Sequence, residues 1–188
     1  MKVLAIPATN SRNGINRQLL EYAKRLLEGG LVANADVVIL DINDHEMPIF
    51  STERHQSLGI PEPARRLYDA IGSVDAVIIS FAEHNGSYTA AWKNLYDWTS
   101  RIDTKVYQSK PTVMLSTSPG AGGAANVLAM ATKSAPYFGA DLKASMSVPS
   151  FFDNFDVESG RLSDGALVKG LQATLSHLAE APATPIER

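Results

Sequence analysis

The sequence predicts an α/β fold, an open, doubly wound parallel sheet with helices on both faces. Two observations predict it. Four short apolar runs rich in Val, Ile, Leu and Met, with a weaker fifth, have the length and composition of strands buried on both faces. Helical patterns lie between them, and strands alternating with helices imply right-handed crossovers between parallel neighbours.

Taken in order, residues 3–7 form the first strand. Ile15, Leu19, Ala23 and Leu26 then fall on one helical stripe, which Gly29-Gly30 terminates. Residues 37–40 form the second strand, and residues 43–59 read as a long polar loop. A second helix covers 61–71 with proline near its start, and the third and longest strand covers 74–81. Trp92, Leu95, Tyr96 and Trp98 mark a helix after Ser87; the pattern fits core packing first and a dimer face second. Residues 112–116 make the fourth strand, 124–137 a helix, 142–148 the weak fifth strand and 163–178 the last helix. Five such strands predict the flavodoxin-like order 2-1-3-4-5. Residues 1–181 are expected to form a single domain, with residues 182–188, which include Pro182 and Pro185, as a frayed tail.

Composition narrows the partners. With 45% hydrophobic and 20% charged residues, the chain has the make-up of a soluble globular protein. A net charge of −3 carries no basic stripe for nucleic acid or an anionic membrane, so neither is an expected partner. Zero cysteines exclude disulfides, thiolate metal sites and cysteine nucleophiles, and any redox chemistry must come from a cofactor. The first residues already read as a strand and lack a signal-peptide pattern, so a cytoplasmic location is expected and the Asn85-Gly86-Ser87 acceptor pattern is accidental. His45 and His55 with Asp44, Glu46 and Glu53 form a loose polar cluster, read as a solvated face; no metal is assigned.

In such a sheet ligands lie beyond the carboxyl ends of the strands, which selects three loops. In the first, Thr9 and Ser11 offer hydroxyls, Arg12 offers charge, Gly14 permits a turn, and Ile15 and Asn16 begin the helix. It reads either as an anion cradle or as an ordinary helix start that Asn13 alone would cap. The second, Glu83-His84-Asn85-Gly86, can hold a planar ring by its amides or be simply an Asn-Gly turn. The third runs Ser116-Thr117-Ser118-Pro119-Gly120-Ala121-Gly122-Gly123, and its glycines let backbone amides meet a flat ligand edge. Its Gly120-x-Gly122-x-x-Ala125 also matches a relaxed dinucleotide fingerprint, but that motif belongs after the first strand of a sheet.

The residues 9–19, Glu83-His84-Asn85-Gly86-Ser87 and Trp92-Lys93-Asn94-Leu95-Tyr96-Asp97-Trp98 resemble the NADPH-dependent FMN reductase family, which includes quinone, chromate and azo-dye reductases. The second and third stretches together resemble its E-Y-N-x-S…L-K-N-x-x-D-W signature, and Met47-Pro48 fits its loop after the second strand. The chain departs from many members at Ala8 (Gly), Ser11 (Arg), Gly14 (Ser), Ala82 (Pro) and His84 (Tyr).

The resemblance implies FMN as cofactor, with its phosphate against Thr9, Ser11, Arg12, Gly14, Ile15 and Asn16. It puts the ring between Glu83, His84, Asn85 and Gly86 on one side and Ser116, Thr117, Ser118, Gly120, Gly122 and Gly123 on the other. NAD(P)H is then the co-substrate and a small quinone-like molecule the electron acceptor; no side chain is required as a nucleophile. The resemblance further implies a homodimer or homotetramer. A flavodoxin-type electron carrier and a non-redox nucleotide-binding module on the same sheet are the alternatives.

Overall fold

The computed structural model describes residues 1–180, so the expected tail at 182–188 lies outside the described residues. Strand β1 (Lys2–Ala8) leads through a loop into α1 (Ile15–Leu26), which ends in a π-helical turn where Gly30 adopts φ +105°. Strand β2 (Asp36–Ile39), α2 (Thr52–Leu58) and α3 (Glu62–Gly72) precede the central strand β3 (Ala76–Phe81). A short hairpin, β4 (Glu83–His84) and β5 (Ser87–Tyr88), leads into α4 (Ala90–Thr99). Then come β6 (Pro111–Thr117), α5 (Ala125–Ser134) and β7 (Asp141–Val148). A turn of helix α6 (Phe151–Asn154), a second hairpin of β8 (Phe155–Asp156) and β9 (Arg161–Leu162), and α7 (Gly165–Ser176) complete the fold.

Five strands pair in parallel in the order β2-β1-β3-β6-β7, the flavodoxin-like order that the sequence predicts. Every residue of β3 and β6 is buried, which is why those strands read as unbroken apolar runs rather than alternating ones. Alternate residues serve two cores. Leu4, Ile6, Val77 and Ile79 pack with Leu67 of α3, Trp92 and Leu95 of α4 and Val127 of α5. Val3, Ala5, Ala76, Ile78, Val113 and Leu115 face Leu19 and Ala23 of α1 and Leu171 of α7. Trp92, Leu95 and Tyr96 are therefore core residues.

Three local expectations are corrected. The polar stretch 43–59 contains a 3-10 turn (Ile42–His45) and helix α2. Ser51 caps α2 by accepting the Arg54 N–H at 3.2 Å, and Gly59 ends it at φ +71°. No residue of α2 is buried, so the helix has no apolar stripe for periodicity to detect. Val74 and Asp75 precede β3 instead of belonging to it: they form a bend in which the Asp75 carboxylate accepts the Lys2 N–H at 2.7 Å and the Asp75 N–H donates to the Lys2 carbonyl at 2.9 Å. The β6–β7 register shifts between Thr112 and Val113, so Lys143 is an extra residue that breaks the period of the fifth strand.

Candidate functional site

Because β1, β3 and β6 are neighbours, the loops after their carboxyl ends converge. They enclose a cleft of about 160 Å³. Thr9, Ser11, Gly14, Ile15 and Asn16 line it from the first loop, Ala82, Glu83 and His84 from the second, and Thr117, Ser118 and Pro119 from the third.

Gly14, not Asn13, is the N-cap of α1, and no side chain caps the helix. The loop closes on itself instead: the Gly14 N–H donates to the Ser11 carbonyl at 3.0 Å, and the Ser11 N–H to Thr9 Oγ1 at 3.2 Å. A Cβ at Gly14 would lie 3.0 Å from that carbonyl oxygen and 3.1 Å from the Ser11 Cβ, so the turn favours glycine by its closeness alone. Among the described residues nothing in the fold accepts the N–H groups of Ile15 and Asn16. Two donors and the positive end of the helix dipole thus face the cleft.

Asn16 is buried, and its carboxamide is a brace. It donates to the Thr117 carbonyl at 3.3 Å and accepts from the Ser80 hydroxyl at 2.7 Å, tying α1 to the ends of β3 and β6. Ser80 went unnoticed in sequence, although a lone hydroxyl inside an apolar strand was the signal available. Thr89 plays a similar part, donating to the Ala8 carbonyl at 2.9 Å while its oxygen accepts the Trp92 N–H and caps α4.

In the second loop, Asn85 (φ +52°) and Gly86 (φ +76°) form the two-residue turn of the β4–β5 hairpin. Glu83 reaches from that hairpin to α5, where its carboxylate accepts the Val127 N–H at 2.9 Å and the Asn126 amide at 3.4 Å. His84 is exposed and lines the cleft.

In the third loop the Gly123 carbonyl accepts both the Ser116 hydroxyl at 2.7 Å and the Ser147 hydroxyl at 2.8 Å. Gly123 adopts φ +58°, and a Cβ there would stand 2.1 Å from Ser147 Oγ. Gly120 and Gly122 have nothing within 4 Å of such a Cβ, so the fold itself places no demand for glycine at either position. Ala82 and Pro119 join the wall although their side chains carry no polar signal. Arg12, Asn85, Gly86, Ser116, Gly120, Gly122 and Gly123 do not line the cleft. The Arg12 side chain is 71% exposed and pairs at 4.0 Å with Asp41 beyond β2. Burial works against ionisation of Asp41, yet the Asn43 N–H at 2.9 Å, the Asn43 carboxamide and the guanidiniums of Arg12 and Arg17 together hold its carboxyl below the ordinary range.

Helix α4 also anchors the segment after β2. Asn94 accepts the Phe50 N–H at 2.8 Å and donates to the carbonyls of Met47 and Pro48, and Trp98 Nε1 donates to the Pro48 carbonyl at 2.7 Å. Lys93 and Asp97, one turn apart, pair at 2.6 Å on the exposed face.

A flavodoxin-like sheet with an uncapped helix start opening into a three-loop cleft defines an α/β protein of the doubly wound class with unclaimed donors at its carboxyl edge. The chain belongs to the NADPH-dependent FMN reductase family, whose model matches residues 1–150. An NAD(P)H-dependent FMN reductase of Pseudomonas aeruginosa is 28% identical over 125 residues, 66% of this chain and 64% of that protein. A quinone reductase of Escherichia coli is 25% identical over 125 residues, again 66% of this chain and 64% of the relative. The chain thus spans about 64% of the length of these curated relatives. The solved flavoenzyme NAD(P)H:(acceptor) oxidoreductase of Paracoccus denitrificans is similar over 94% of both chains, with a TM-score of 0.72 and 25% identity.

Proposed function

We propose that this protein is an FMN-dependent oxidoreductase that takes hydride from NAD(P)H and passes electrons to a small acceptor such as a quinone. The observation that carries this is the start of α1, where the N–H groups of Ile15 and Asn16 and the hydroxyls of Thr9 and Ser11 border one cleft. These groups fit a phosphate: they are donors, they are unclaimed by a cap, and the helix dipole adds positive potential.

The remaining residues divide by task. Thr9, Ser11, Gly14, Ile15 and Asn16 would hold the phosphate, with Asn16 acting mainly by fixing the loop against Ser80 and Thr117. The backbone of Glu83–Gly86 and of Ser118–Gly122 would border the ring, and Gly120 and Gly122, which the fold does not require, allow close approach there. His84 would meet the face open to nicotinamide and acceptor. Bound FMN would supply the hydride-accepting and electron-donating centre; the protein supplies orientation, shielding and electrostatics. Arg12 would add long-range attraction rather than a direct contact. A homodimer or homotetramer is the expected assembly, and Ile49 and Leu58, 73% and 60% exposed on the segment that α4 anchors, are apolar surface suited to a subunit contact. Without cysteines the chain suits a reducing cytoplasm.

Reconstitution with FMN and anaerobic titration with NADPH and NADH test the proposal. Bleaching of the flavin band, then reoxidation by a quinone, is the expected result. Flavin retention without reduction by either nucleotide would leave an electron carrier, and no flavin retention would leave a non-redox module.

A further inference from the structure

A second cavity, of about 230 Å³, opens across Asn10 from the three-loop cleft: Thr9 and Ser11 line the cleft, whereas Asn10 lines the cavity. Ile42, Met47 and Ala91 supply apolar wall, and Asn10, His45, Glu46 and Asn94 supply polar wall. The cavity is held open, because Asn94 and Trp98 fasten the Met47 and Pro48 carbonyls to α4.

His45 is the unusual member. It is only 9% exposed, and its Nδ1 lies 3.2 Å from the Asp41 carbonyl oxygen. A carbonyl can only accept, so Nδ1 carries the proton and Nε2 of the neutral ring is an acceptor. No described residue donates to Nε2. Nor is that nitrogen sealed in the interior, since every fully buried side-chain polar atom among the described residues has a partner. Nε2 therefore meets open space. Burial and the charge of Arg66 favour the neutral ring, against the Asp41 carbonyl and the carboxylates of Asp44 and Asp41.

We propose that this cavity binds a single-ring hydroxyaromatic molecule, such as a phenol or hydroquinone, whose O–H donates to His45 Nε2 while its ring packs on Ile42, Met47 and Ala91. Size agrees, because about 150 Å³ is room enough for a benzene ring, and the polar part of this larger, partly open cavity suits a ring that carries hydroxyls. Chemistry agrees too. A thioether packs well on an aromatic ring, and Glu46, a carboxylate in the wall, disfavours anionic ligands and offers an acceptor to a second hydroxyl. That the ligand would be the reduced form of an acceptor rests on the reductase reading; the binding itself does not.

Calorimetric titration of the protein, with and without FMN, against para-cresol and para-methylanisole tests the proposal, since neither probe is a flavin oxidant. Para-cresol is expected to bind about tenfold more tightly than the anisole, which lacks the O–H. His45→Phe should remove that discrimination, and Ala91→Leu should abolish binding of both probes by filling the cavity, each with FMN retention unchanged. Equal affinity for the two probes, or indifference to both substitutions, would overturn it. Para-cresol binding by a protein that holds no FMN would support this cavity while sinking the flavin assignment; FMN retention without para-cresol binding would do the reverse.

Discussion

Glu83 and Val127 are 44 residues apart, and the carboxylate of the first accepts the backbone N–H of the second at 2.9 Å. Helix α5 has no cap of its own, since Ala124 at φ +60° precedes it and no side chain there bonds to it. A hairpin that borders the cleft thus supplies a cap to a helix on the core side. Glu83→Ala is expected to cost about 1 kcal/mol of stability and to loosen FMN, whereas Glu83→Gln should retain most of both. Urea unfolding with FMN titration of each variant checks this, and an unchanged Glu83→Ala protein would contradict the tertiary cap.

The glycines of the third loop should separate by role. Gly123→Ala meets the Pro149 backbone at 3.1 Å as well as Ser147, at a left-handed φ, and should cost about 2 kcal/mol or more of stability. Gly122→Ala, with open space around it, should leave the unfolding midpoint in place and weaken FMN instead. Equal destabilisation by the two would show that the loop is not held as described.

Ser11 and Asn16 should differ in the same way. Ser11→Ala removes an exposed hydroxyl and should reduce FMN affinity by about 1–3 kcal/mol with little effect on folding. Asn16→Ala also strips partners from the buried Ser80 hydroxyl and Thr117 carbonyl, so a stability loss of about 1–3 kcal/mol is expected even without flavin. Thermal melts of the flavin-free variants distinguish them.

Acid should destabilise the fold in two steps of one sign. Burial of His45, opposed by its bond to Asp41 and joined by the charge of Arg66, lowers its pKa from 6.5 in the folded state. The unfolded chain then binds the proton first, so the contribution of His45 is full above 6.5 and is lost as pH falls from there through the folded value. Asp41, also lowered, adds a loss as pH falls below 3.8 through its own folded value. Asp44 and Glu46 flank the same turn, so His45→Gln is the control: it should flatten the fall of the urea midpoint that begins as pH drops below 6.5 and leave the acid limb below 3.8.

Sheet order, its five strands and the three loops that converge at its carboxyl edge were legible because strands buried on both faces show as apolar runs and loop positions follow from topology. Helix α2 was hidden because it buries nothing, and only Ser51 and Gly59 marked its ends. The fifth strand read weakly because Lys143 interrupts its period.

The amino-acid order by itself determined the five strands of the parallel sheet, which loops meet at its carboxyl edge, and which family motifs fall there, since these follow from local pattern and from the topology that the pattern implies, whereas the two short hairpins did not show. What each polar group in those loops does was decided by tertiary structure. Glu83 turned to α5, Arg12 to Asp41, Asn16 to Ser80 and Thr117, and His45 was left with an open nitrogen. A hydrogen bond between residues tens of positions apart depends on how packed elements bring donor to acceptor, and spacing along the chain carries no record of that distance.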